Sequence, residues 1–134
     1  MNGRGFLDTN VLIYSTLASD PRSNVARDLL SRRNVISVQV LNEFASVARR
    51  KLHRAWPDIV RALTAIRALC ATPHPITLTA HESALAIASR RGYQLYDALI
   101  IATALEAGCA TLYSEDLQDG QIIDRRLTIR NPFA

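Results

Sequence analysis

Residues 97–107 read DALIIATALEA, a run in which Asp97 and Glu106 are the only charged residues. A helix that is apolar almost all round must be buried on most of its faces, so this segment is expected to sit centrally. Gly108 ends it, and residues 110–113 follow as a short strand. Working outward, residues 5–7 read as a short buried strand running into Asp8. Helical spacing covers 9–17, 24–31, 38–52, 56–71 and 79–91, with Asp20-Pro21 as a turn, Pro57 in a first helical turn and Gly92 as a stop. Residues 35–37 and 75–78 read as further strands, 114–120 as a polar loop, and 121–123 and 128–130 as short strands in the tail. Alternation of strand and helix through most of the chain argues an α/β fold with a parallel sheet covered by helices on both faces. Binding sites of such sheets gather beyond the carboxyl ends of the strands.

The chain has 134 residues, 49% of them hydrophobic and 21% charged, which suits one domain spanning 1–134 and excludes disorder. Cys70 and Cys109 lie far apart with no second Cys or His at ligand spacing, so neither a disulfide framework nor a thiolate zinc site is expected. No stretch approaches the roughly 20 apolar residues of a membrane span, and residues 1–8 lack the pattern of an export leader. A cytoplasmic protein with no membrane contact is expected. Lys+Arg number 16 against 12 Asp+Glu, a net charge of +4, and Lys51 is the single lysine. Arginine's planar fork suits phosphate, although a run such as Arg22–Arg54 also reads as a solvated helix face.

Four acids stand where solvation does not account for them. Asp8 and Asp116 follow strands, Asp97 opens a buried helix, and Glu43 lies inside an apolar helix with Val40 and Val47 on its face. Taken singly, Asp8 and Asp97 read as helix caps and Asp116 as a turn residue. Taken together, a parallel sheet brings Asp8, Asp97 and Asp116 to one edge, with Glu43 entering from a flanking helix. Carboxylates so gathered raise one another's pKa unless a cation neutralises them, and oxygen donors of this kind select Mg²⁺ or Mn²⁺. An acidic metal pocket in a basic surface suits phosphodiester cleavage, with Arg49, Arg50, Lys51 and Arg54 as the first candidates for contact with the phosphate backbone.

The ordered motifs FLDTNVLIY (6–14), SVQVLNEF (37–44), YDALIIATALEAGC (96–109) and LYSEDLQDG (112–120) resemble the PIN-domain family, and within it the VapC-type toxin ribonucleases of bacterial toxin-antitoxin pairs. The resemblance implies a three-layer α/β/α fold with a central, mainly parallel sheet of four to five short strands. It implies a Mg²⁺- or Mn²⁺-dependent endoribonuclease in which Asp8, Glu43, Asp97 and Asp116 are the catalytic acids, with Asp8, Asp97 and Asp116 as metal ligands. Thr9 and Asn10 match small polar positions beside the first acid, and Ser114 a hydroxyl position two before the last. Asp119 is expected as a supporting or additional ligand, Glu115 to face solvent, and Tyr96 to pack in the core or rim. A homodimer and a small antitoxin partner are also implied, the latter in an apolar groove for which Val11, Leu12, Tyr14, Leu52 and Trp56 are candidates.

Two other readings compete. A phosphoaspartyl hydrolase of haloacid dehalogenase type also carries an Asp after its first strand, but with a second Asp where this chain has Asn10. A receiver domain has an acidic pair before that Asp and a strand-borne Lys near the end, both missing here. A non-catalytic RNA-binding module would use the acids only as caps or metal holders. No His is needed as a base, and His53, His74 and His81 read as structural or solvated. Neither a nucleophilic serine elbow nor a glycine-rich phosphate loop is present.

Overall fold

The computed structural model describes residues 4–134. Residues 1–3, part of the expected 1–134 domain and of the start inspected for a leader, lie outside the described residues. In chain order the elements are β1 (Gly5–Leu7), α1 (Thr9–Ser15), α2 (Ser23–Ser31), α3 (Val38–Arg50), α4 (Trp56–Leu69), α5 (Leu78–Arg91), α6 (Leu95–Glu106), β2 (Thr111–Tyr113), β3 (Ile122–Ile123) and β4 (Leu127–Arg130).

The sheet runs in the order β1-β2-β4-β3, with β1, β2 and β4 parallel and β3 antiparallel at one edge. Its register sets Phe6, Leu112 and Ile129 in one row, all fully buried. Each such side chain contributes roughly 1.5–3 kcal/mol on leaving water, which is how strands of two to four residues hold. Helices α1 to α4 pack in one group and α5 against α6 in another, so the protein is the expected three-layer α/β fold. Ala98 and Ile100–Leu105 of α6 are buried, as the apolar run requires. The same register pairs Leu7 with Tyr113, so Asp8 and Ser114 are the first residues beyond two neighbouring strand ends.

The structure departs from the expected elements at two places. Residues 35–37 form isolated parallel bridges, Val35 to Phe6 and Ser37 to His74, because Ser37 already caps α3 with its side chain. Residues 75–78 form no strand. Pro73 and Pro75 cannot donate to a ladder, and Thr77 instead caps α5, accepting from Ala80 N at 3.0 Å. The remaining segments differ by a few residues at their ends; α6 begins at Leu95 rather than Asp97.

Candidate active site

Asp8 stands at the junction of β1 and α1, 7% exposed. Its Oδ1 accepts the Thr9 N–H at 2.7 Å, so it does cap α1, and its Oδ2 accepts from Ser114 Oγ at 2.8 Å. The backbone fixes this meeting, because Asp8 N donates to the carbonyl of Tyr113 at 3.0 Å. Thr9 in turn donates from Oγ1 to Glu43 Oε1 at 2.6 Å. Glu43 Oε2 accepts from Gln39 Nε2 at 3.0 Å, one helical turn earlier on α3.

Asp116 is exposed and accepts from Asn10 Nδ2 at 3.2 Å, while Asn10 Oδ1 receives the Glu115 N–H at 3.2 Å. Ser114 Oγ also accepts the Asp116 N–H at 3.1 Å. Asp97 lies in the first turn of α6 and not at its cap, which is Gln94. Carboxylates there are favoured by the helix dipole.

Asp8, Glu43, Asp97 and Asp116 line one cleft of about 410 Å³, with Thr9, Asn10, Tyr14, Glu115, Arg50 and Lys51 also on its wall. Burial pushes the Asp8 carboxyl up to about 6, against the hydrogen bonds from Ser114 and Thr9; Glu43 and Asp116 add repulsion. Asp97 is also raised, first by burial and then by Glu43 and Asp116. Anions that burden one another in this way are relieved by a cation. The donors are oxygen only, as a hard divalent ion requires. Among the described residues no three His, Cys, Asp or Glu side chains are gathered tightly enough to enclose an ion. Magnesium keeps several waters and binds through one or two carboxylates, so an open acidic cleft fits it.

Other expected positions fall elsewhere. Asp119 is turned to the tail, its Oδ1 accepting the Asn131 N–H at 2.8 Å. Of the four candidate RNA contacts, Arg50 and Lys51 line the cleft. Arg49 stacks over Trp56 at 5.2 Å, and Arg54 donates to Thr16 Oγ1 at 2.9 Å. Val11 and Leu12 are fully buried core residues and so cannot form a groove. Tyr96 is exposed and does not pack in the core. His74 meets Glu106 at 2.8 Å, while His53 and His81 are exposed. Burial pushes both thiols up to about 11, which leaves Cys70 and Cys109 as core residues.

Sequence reasoning missed two features of the site. Glu115 is half-buried, not solvated: it accepts from Tyr14 Oη, and Arg22 pairs with it at 3.0 Å while lying 3.8 Å over the Tyr14 ring. Nothing local signals an association across ninety residues. Gln39 was the other, although a buried amide one turn before Glu43 is a readable signal.

Residues 5–118 match the PIN domain model, and the chain belongs to the PIN-domain family. β3 and β4, which complete the sheet, fall beyond the matched stretch. No curated protein matches the chain. Solved structures share its fold, among them the following three. A toxin-antitoxin complex from Klebsiella pneumoniae is 23% identical, with TM-score 0.73 over 96% of this chain and 98% of that one. VapBC2 from Rickettsia felis, bound to a DNA fragment from its promoter, is 18% identical, with TM-score 0.67 over 95% and 97%. VapC20 of Mycobacterium tuberculosis, described as a sarcin-ricin loop cleaving toxin, is 22% identical, with TM-score 0.64 over 84% and 91%.

Proposed function

We propose that this PIN-domain chain is a Mg²⁺- or Mn²⁺-dependent endoribonuclease, the toxin of a VapBC-type pair acting in the cytoplasm. The observation that carries the reading is the convergence of Asp8, Glu43, Asp97 and Asp116, from four separate parts of the chain, on one cleft with Arg50 and Lys51 at its wall. Family membership supports it, and so do structural neighbours described as toxins and toxin-antitoxin complexes.

Asp8, Asp97 and Asp116 would hold the cation, one or two of them directly and the rest through its waters. When bound, it supplies Lewis acidity toward the phosphodiester and lowers the pKa of a water. Ser114 and the Thr9 N–H keep Asp8 oriented and favour its ionised form. Asn10 holds Asp116 and the backbone of its loop at once. Thr9 and Gln39 occupy both oxygens of Glu43, which therefore acts from a fixed position. Arg50 and Lys51 attract the phosphate backbone to an otherwise anionic cleft.

An antitoxin would cover exposed apolar side chains. Leu52, Trp56 at 53% exposure and Val60 at 59% remain available for that, together with Tyr14. A homodimer is part of the same reading, by likeness to the family. The phosphoaspartyl alternative is disfavoured by Asn10, whose amide is spent on Asp116 and Glu115.

Induced expression tests the reading. The wild-type chain alone should arrest growth with new RNA ends, Asp8→Asn should be harmless, and co-expression with the cognate antitoxin should abolish the arrest. Normal growth of cells accumulating folded wild-type chain, with no antitoxin present, would contradict the toxin role.

A further inference from the structure

Gln39 is a buried amide, 5% exposed, on the face of α3 that carries Glu43. Its Nε2 makes two donations: to Glu43 Oε2 at 3.0 Å, and to the carbonyl of Tyr96 at 3.1 Å. Tyr96 is the residue immediately before Asp97 in the first turn of α6. The other end of the amide, Oε1, is buried with no partner.

That orphaned oxygen is informative. An unpaired acceptor inside a protein is costly, and reversing the amide would not relieve it. The reversed group would set Oε1 against a carboxylate oxygen and a carbonyl oxygen, two acceptors, and would leave both without a donor. The orientation is therefore chosen by Glu43 and Tyr96, at the expense of Oε1. An apolar side chain of similar volume would fill the site with no orphaned oxygen of its own. What the amide adds is a link between the helix bearing Glu43 and the helix turn bearing Asp97, two acids that repel each other.

Resting on the cation-site reading above, we infer that Gln39 is a positioning residue. It holds Glu43 in place relative to Asp97 and so sets the affinity of the cleft for a divalent cation. Outer partners of a metal site change metal affinity roughly 10–100-fold when removed; Gln39 is such a partner through the backbone that carries Asp97 and through the charge of Glu43.

The test is calorimetric titration of Mn²⁺ into RNA-free protein, with folding checked by circular dichroism. Wild type should bind, and Gln39→Met should remain folded and bind roughly 10–100-fold more weakly. A folded Gln39→Met with wild-type Mn²⁺ affinity would overturn the inference and leave the cation site standing. Absence of Mn²⁺ binding by wild type would overturn both. If Gln39→Met does not fold, Gln39→Asn decides, since its shorter amide cannot span both acceptors: weakened Mn²⁺ binding supports the positioning role, and unchanged binding overturns it.

Discussion

Ser114 Oγ donates to Asp8 Oδ2 at 2.8 Å and so ties the loop leaving β2 to the residue leaving β1. The same hydroxyl accepts the N–H of Asp116, so one atom orients two acids of the cleft. Replacing Ser114 by Ala removes both bonds, and a longer one from Asn10 Nδ2 at 3.4 Å, at a fully buried position. The variant is expected to lose about 1–3 kcal/mol in denaturant unfolding. Without that donor the Asp8 carboxyl should rise further above 6, and the acidic limb of the pH–rate profile should move to higher pH.

Asp8 makes the ion-free protein sensitive to pH in a defined direction. Its folded pKa of about 6 lies above the ordinary value of 3.8, so between these pH values the folded state holds more protons than the unfolded chain. Stability is then greatest below about pH 4 as far as this group is concerned, and it declines as pH rises through 6. Asp8→Asn should therefore be more stable than wild type by about 2–3 kcal/mol at pH 7.5 without divalent ions. The gain should vanish near pH 4. Mn²⁺ should raise the Tm of wild type at pH 7.5 and leave that of Asp8→Asn nearly unchanged.

The four cations near the end of α3 should behave differently from one another. Arg50 and Lys51 line the cleft, so neutralising either should lower the salt dependence of RNA binding by ~0.7 per phosphate contact. Arg49 and Arg54 are engaged by Trp56 and Thr16. Their replacement should leave the salt slope nearly unchanged. Fluorescence anisotropy across a range of salt separates the two pairs.

Gly5 leaves no room for a side chain. A Cβ there would meet the Tyr113 ring at 2.5 Å and Asn34 Oδ1 at 3.0 Å, the latter already accepting the Gly5 N–H at 3.2 Å. Gly5→Ala should cost about 1–3 kcal/mol and loosen β1 against β2, measured by unfolding and amide exchange of Phe6 and Leu7.

How much of this was readable in the chain follows from the range of each interaction. The burial of α6 and the exits of Asp8 and Ser114 follow from local apolar runs beside single polar residues, so the sheet edge and its acids were legible. Asp97 invited a capping role because Asp is a common N-cap, whereas α6 begins two residues earlier at Leu95. The strand expected at 75–78 failed because β-like composition was outweighed by two prolines and a capping threonine. The surroundings of Glu115, Asp119 and Arg54 were not legible because their partners, Tyr14, Asn131 and Thr16, are distant in sequence and have no periodicity linking them. The same holds for Val11 and Leu12, whose burial depends on helices packed against α1 from elsewhere.

Cleavage of RNA by the carboxylates of this cleft with a divalent cation is measured by single-turnover reactions of an end-labelled RNA with wild type and Asp97→Asn, across a Mn²⁺ titration and in EDTA. Asp97 is the informative position because its side chain lines the cleft without capping α6, so the amide should preserve the fold. Wild type should cleave in a Mn²⁺-dependent manner and not in EDTA, and Asp97→Asn should not cleave at any Mn²⁺ concentration. Cleavage by purified wild type that persists undiminished in EDTA, or wild-type rates from Asp97→Asn, would rule out the divalent-cation mechanism at this cleft.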